Sequence, residues 1–221
     1  GVGKTQLALH YAHAAASGKQ LAGQYLAYDY VVWLNAEVFI DGQFQAMAEL
    51  WLGKQLKADE AQAAVYAFLR GKRSLFVFDN AENPHSITRF LPPAQYASPV
   101  HFLITSRSAQ WGGLPAVKLG GFSLEEAQEY VEYHLGSQSQ EAVEKLVELL
   151  GGLPLAMSQA VSYIKARHST LEEFEQQFYL NQANLLSHEL LPEESHPKTI
   201  GTTLMLALAH VKTQSPIAEI L

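Results

Sequence analysis

The chain has 221 residues, 48% of them hydrophobic, which is enough for one large domain or for two or three smaller packed domains. Fifteen Lys and Arg residues against 22 Asp and Glu residues give a net charge of −7, which disfavours a broad nucleic-acid surface or an anionic-membrane surface. The absence of cysteine excludes disulfides and Cys-ligated zinc. No apolar run approaches the roughly 18 residues of a membrane span, and we expect a cytoplasmic protein.

The first half of the sequence alternates helical and strand-like segments. Its periodicity predicts helices over residues 4–17, 43–52 and 58–69, and strands over 30–34, 75–78, 100–105 and 116–119. The strand-like runs are continuously apolar, as is typical of strands buried on both faces. This alternation predicts an α/β domain with a parallel sheet over residues 1–121.

After Gly120 and Gly121 the pattern becomes helical only. Ser123 and Thr170 each precede a glutamate at the spacing of a capping box, which predicts helices that begin at these two residues. Two more helices are predicted between them, over 140–150 and 155–167. We therefore expect a helical domain over 122–186, a polar linker over 187–198 and another helical segment over 199–221.

The segment Gly1-Val2-Gly3-Lys4-Thr5 opens the first predicted helix. It matches the second half of the phosphate-loop pattern G-x-x-x-x-G-K-[ST], whose first glycine is then expected three residues before Gly1. In such a loop, backbone N–H groups surround a phosphate, Lys4 reaches the β- and γ-phosphates and the Thr5 hydroxyl binds Mg²⁺. A glycine-rich turn before an amphipathic helix is the alternative.

Two of the predicted strands lead directly into polar residues. Asp79 follows Leu75 to Phe78, at the edge where parallel sheets bind ligands, and could hold Mg²⁺. Arg107 follows Thr105 and Ser106, and its planar guanidinium suits a terminal phosphate. The alternatives are a strand-ending turn for Asp79 and a solvated loop position for Arg107.

In this order, the motifs resemble the NB-ARC module of the STAND class of P-loop ATPases. The resemblance covers Gly1 to about Leu180. It rests on Gly1-Val2-Gly3-Lys4-Thr5, the segment 31–37, Asp79, Thr105-Ser106-Arg107, Phe122-Ser123 and Gly152-Leu153-Pro154-Leu155. A helix end, turn and helix start would also explain the last of these motifs.

This resemblance implies a P-loop NTPase sheet whose first strand precedes the sequence, followed by a helical subdomain and the beginning of a winged-helix subdomain over 199–221. It also implies ATP/ADP and Mg²⁺ as cofactors. The implied nucleotide contacts are Gly1, Val2, Gly3, Lys4, Thr5, Gln6 and Pro154, with Thr5 and Asp79 on Mg²⁺ and Arg107 on the terminal phosphate.

One departure from the family concerns hydrolysis. The family usually has a second acid directly after the aspartate, whereas this chain has Asn80, which cannot act as a general base, and Glu82 two residues further on. The predicted function is therefore a signal-transduction switch that hydrolyses ATP slowly, with Asp79, Arg107 and Glu82 as candidate catalytic residues. Partners are expected to be other protein domains or further copies that bind through regions outside this chain. A P-loop ATPase of steady turnover and a nucleotide-free interaction scaffold remain open.

Overall fold

The structure is a computed structural model that describes residues 2–21, 24–25, 27–92 and 99–187. The predicted linker beyond Ser187 and the predicted winged-helix segment 199–221 lie outside the described residues, as does Gly1. The contacts divide the chain into two compact units. One is an α/β unit over Lys4–Lys118, and the other is a helical unit that comprises Val2 and Gly3 together with the described residues from Leu119 onward.

The α/β unit is built around a three-stranded, all-parallel sheet. Its strands are β3 (Tyr30–Asn35), β4 (Ser74–Ala81) and β5 (Val100–Ser106), in the spatial order β3-β4-β5. The helices are α1 (Lys4–Ala16), α2 (Ile40–Leu52), α3 (Ala58–Phe68) and the short α4 (Pro84–Thr88). Two antiparallel strands of two residues each, β1 (Gln20–Leu21) and β2 (Gln24–Tyr25), follow α1 and were not predicted.

Apolar side chains cover both faces of this sheet. On one face the small residues of α1, such as Ala8 and Ala15, pack against Leu75 and Val77 of β4. On the other face, α2 and α3 pack against the side chains that alternate with these, including Phe76. Residues 74–78 are consequently all buried, which explains why this strand is a continuous apolar run in the sequence.

The predicted strand over Ala116–Leu119 is wrong. These residues adopt no regular structure, and Val117 is 92% exposed. A short apolar run becomes a strand only when a neighbouring strand satisfies its backbone groups, and none of the described strands pairs with this run. The other three predicted strands are confirmed.

The helical unit contains α5 (Leu124–Leu135), α6 (Gln140–Leu150), α7 (Pro154–Arg167) and α8 (Leu171–Ser187). The Ser123 hydroxyl accepts from the N–H of Glu126, whose carboxylate accepts from the N–H of Ser123, which confirms the predicted capping box. Thr170 and Glu173 form the second box, over distances of 3.0 and 3.2 Å.

The fold is α/β, with a parallel sheet followed along the chain by a set of helices. This confirms the predicted α/β class and the predicted order of sheet and helices. Among the helices of the described ranges, none combines the length and the apolar composition that a membrane span requires.

Candidate functional site

Asp79 lies where β4 passes the carboxyl end of β3. It is paired with Asn35, the last residue of β3, and its backbone carbonyl accepts from the N–H of Ala36 at 2.8 Å. The strand does not end here as the sequence suggests, since β4 continues to Ala81 after an irregularity in its pairing with β5. This bulge presents the half-buried Asp79 carboxylate at the edge of the sheet where parallel strands bind ligands.

The start of α1 lies at the same edge. The exposed Thr5 hydroxyl donates to Asp79 Oδ1 over 2.9 Å, although the two residues are 74 positions apart in the sequence. The preceding Lys4 is half-buried, and no carboxylate of the described residues forms an ion pair with it. Gly3 has φ +88°, a backbone conformation that favours glycine. Val2 and Gln6 flank these residues, and Gly1 lies outside the described residues.

A second hydroxyl, from the neighbouring strand β5, also bonds to the Asp79 carboxylate. The side chain of Thr105, near the end of β5, donates to Asp79 Oδ1 over 2.6 Å. The Thr105 oxygen in turn accepts from the backbone N–H of Asn80 at 2.8 Å. The sequence identified Thr105 only as part of a motif. The signal that would have found its role is a threonine near the end of an apolar strand beside the strand that carries Asp79.

Asn80 and Glu82, the two residues on which the expectation of slow hydrolysis depends, lie in different environments. Asn80 has φ +65°, and asparagine is one of the few residues other than glycine that adopt this left-handed conformation readily. Glu82 follows the last residue of β4 and is exposed. The Thr5 hydroxyl donates to Asp79 and not to the Glu82 carboxylate.

Arg107 follows β5 and pairs with a carboxylate beyond β3. Its guanidinium lies 3.6 Å from Glu37 Oε1, and the two side chains are 81% and 52% exposed. The loop that carries Glu37 is held by Asn35, whose side-chain oxygen accepts from the N–H of Glu37 at 2.9 Å. The carboxyl ends of all three strands therefore contribute polar side chains to this edge of the sheet.

Pro154 belongs to the helical unit, where it is the first residue of α7. Gly151 and Gly152 precede it, both with positive φ, and the Gly152 carbonyl accepts from the N–H of Phe122 at 2.8 Å. The structural explanation of this motif, a helix end followed by a turn and a helix start, is confirmed. Contact of Pro154 with a nucleotide stays a prediction.

The oxygen atoms of Thr5 and Asp79 are suitable Mg²⁺ ligands. Hydroxyl and carboxylate oxygens are hard donors, and Mg²⁺ in nucleotide sites takes only one or two protein ligands, its other ligands being phosphate oxygens and water. The hydrogen bond from Thr5 to Asp79 Oδ1 holds these two side chains close together. The described residues contain no cluster of three His, Asp or Glu side chains, so no self-sufficient metal cage occurs among them. The arrangement fits a metal that a nucleotide shares.

A comparison of the chain with models of known protein families gave no match, and neither did a comparison with curated protein sequences.

Proposed function

We propose that the chain is an ATP/ADP-binding switch, a P-loop module of the NB-ARC kind in the STAND class. The observation that supports this most is the hydrogen bond from Thr5, in the first turn of α1, to Asp79 on the central strand. A helix that begins at the carboxyl edge of a parallel sheet directs free N–H groups and the positive end of its dipole towards a bound anion. The sequence Gly3-Lys4-Thr5 supplies the side chains that a phosphate requires at this position.

Each of these side chains has a distinct role in the proposal. Lys4 donates to the β- and γ-phosphate oxygens, and its charge is not neutralised by any carboxylate of the described residues. The Thr5 hydroxyl and the Asp79 carboxylate hold Mg²⁺. A bound Mg²⁺ bridges the β- and γ-phosphates and neutralises their charge.

Arg107 distinguishes ATP from ADP in this proposal. Its ion pair with Glu37 is exposed to solvent, and such pairs contribute only about 0–1 kcal/mol. A terminal phosphate, which can accept two hydrogen bonds from a guanidinium, can therefore compete with Glu37 for the arginine. Movement of Arg107 between carboxylate and phosphate would couple the nucleotide state to the loop after β3.

Hydrolysis is slow in this proposal because no residue beside Asp79 in the described part of the chain is placed as a general base to activate water. Asn80 offers no general base, and Glu82 is exposed beyond the end of β4. General base assistance contributes roughly 10²–10⁴-fold to a rate. We expect single-turnover hydrolysis well below about 1 s⁻¹, with ADP left bound. Such persistence suits a switch that controls subdomain packing and oligomerisation.

The experiment that tests this function measures nucleotide content and turnover in the same preparation. The purified protein is denatured, its released nucleotides are separated by chromatography, and single-turnover hydrolysis of ATP is followed in Mg²⁺. Retained ADP with slow hydrolysis supports the switch. Rapid steady turnover would instead favour a metabolic P-loop ATPase. If the preparation contains no bound nucleotide and binds none on titration, the proposal is refuted and an interaction scaffold is favoured.

A further inference from the structure

Thr105 is one of few buried polar residues among those described, with only 7% of its surface exposed. A β-branched residue in a strand is ordinarily explained by packing alone. The hydroxyl of Thr105, however, makes two hydrogen bonds, to the Asp79 carboxylate at 2.6 Å and from the Asn80 N–H at 2.8 Å. Its contacts therefore link β5 to the residue that we propose as a metal ligand.

The direction of these bonds follows from the chemistry of a hydroxyl. A threonine hydroxyl has a single proton. Because the Asn80 N–H can only donate, the Thr105 oxygen must be the acceptor of that bond. The Thr105 proton is then available to the carboxylate, which can only accept when ionised. Bonds in such a chain polarise and strengthen each other, and a bond to a charged acceptor is stronger than a neutral one.

The bulge in β4 makes this chain of bonds possible. Regular pairing between β4 and β5 stops at Phe78 and resumes at Ala81, so that both Asp79 and Asn80 lie opposite Thr105. The left-handed conformation of Asn80 belongs to the same irregularity. The bulge and the Thr105 hydroxyl thus both determine the position of the Asp79 carboxylate.

Both hydroxyls that reach Asp79 bond to the same oxygen. Thr5 and Thr105 each donate to Oδ1, and no group in the described part of the chain donates to Oδ2. A carboxylate fixed through one oxygen keeps the lone pairs of the other for a cation. Partners that orient a metal ligand in this way typically contribute 10- to 100-fold to metal affinity.

We propose that Thr105 is a positioning residue that orients the Asp79 carboxylate for Mg²⁺ through its hydroxyl. This inference rests on the proposed nucleotide site. Thr105 touches neither metal nor nucleotide in the proposal and acts only through Asp79. Its hydroxyl should therefore affect the part of nucleotide affinity that depends on Mg²⁺ and leave the metal-free part unchanged.

The test compares ADP affinity in excess Mg²⁺ with ADP affinity in EDTA, by calorimetry. Thr105→Val removes the hydroxyl at nearly constant shape, and Thr105→Ser restores it. Ser74→Ala is the matched control, because Ser74 is another buried hydroxyl of the same sheet, bonded to the Lys72 carbonyl at the opposite end of β4. The measured quantity is the ratio of ADP affinity in Mg²⁺ to ADP affinity in EDTA. We expect this ratio to fall about tenfold or more in Thr105→Val and to stay at the wild-type value in Thr105→Ser and Ser74→Ala.

Three results would overturn the inference. One is a wild-type ratio in folded Thr105→Val. Another is an equal loss of affinity with and without Mg²⁺, which would indicate a structural role only. The third is a ratio in Thr105→Ser that falls as far as it does in Thr105→Val. If Thr105→Val does not fold, Thr105→Ala is judged by the same ratio. A wild-type protein that binds no ADP in either condition would refute the proposed function itself, which distinguishes that failure from failure of the positioning role.

Discussion

The backbone of Asn80 offers a stability test of the irregular end of β4. Its φ of +65° costs an ordinary residue with a Cβ roughly 1–2 kcal/mol, whereas asparagine and glycine adopt it more easily. Asn80→Ala should therefore lower the free energy of unfolding by about 1 kcal/mol, equivalent to roughly 2–4 °C in melting temperature. Asn80→Val should cost more, because β-branched residues tolerate this conformation least.

The assay is thermal and chemical unfolding of a small set of variants at this position. In Asn80→Gly the relief of strain is offset by the greater freedom of glycine in the unfolded chain, so its stability should remain close to that of the wild type. Glu82→Ala is the control, since Glu82 is exposed and follows the last residue of β4. If Asn80→Ala and Asn80→Val melt together with the wild type, the left-handed conformation, and the bulge that depends on it, would be refuted.

Three further predictions concern the helical unit, the core and hydrolysis. Gly152→Ala should lower the free energy of unfolding by about 2 kcal/mol or more, since φ is +63° and the new Cβ would lie 2.9 Å from a backbone carbonyl oxygen. Gly136→Ala, where φ is +78° but the space is open, should cost less in the same denaturation assay; equal costs would contradict the close approach. Burial raises the pKa of the Tyr66 hydroxyl, so the unfolded chain loses this proton first, and stability should fall as pH rises above about 10, by at most ~1.4 kcal/mol per pH unit from this group. Tyr66→Phe should make the alkaline loss shallower in pH-dependent unfolding, and an unchanged slope would contradict this assignment. Asn80→Asp should raise the single-turnover rate of ATP hydrolysis, and Glu82→Gln should leave it nearly unchanged. Loss of hydrolysis in Glu82→Gln would identify Glu82 as the carboxylate that activates water as a general base.

Sequence patterns predicted those parts of the fold that local chemistry determines. Burial on both faces makes β4 a continuous apolar run, and the capping box at Ser123 is visible because its two partners are only three residues apart. The same holds for α6, whose bounds Gln140–Leu150 are those that the periodicity predicts. In each case the determining residues are close together in the sequence.

The features that could not be predicted depend on residues distant in the sequence. The bulge after Phe78 and the approach of Thr105 to Asp79 are set by the register between β4 and β5, which no local pattern encodes. The false strand over Ala116–Leu119 has the same origin, because its local composition favours a strand but none of the described strands pairs with it. Glu37 was likewise identified only as part of a motif, although its carboxylate pairs with Arg107.

The central claim, that Lys4 and its neighbours bind a nucleotide phosphate, is tested most directly by titration calorimetry with ADP and Mg²⁺. Lys4→Ala removes a charge-assisted contact of roughly 1.5–3 kcal/mol, so ADP affinity should fall about tenfold or more. Lys54→Ala is the control, because Lys54 is an exposed lysine of the same unit, directly after the Gly53 that ends α2. An affinity lowered in Lys4→Ala alone, with an unchanged melting curve, is the predicted result. Equal ADP affinities in the wild type and in Lys4→Ala would contradict the account.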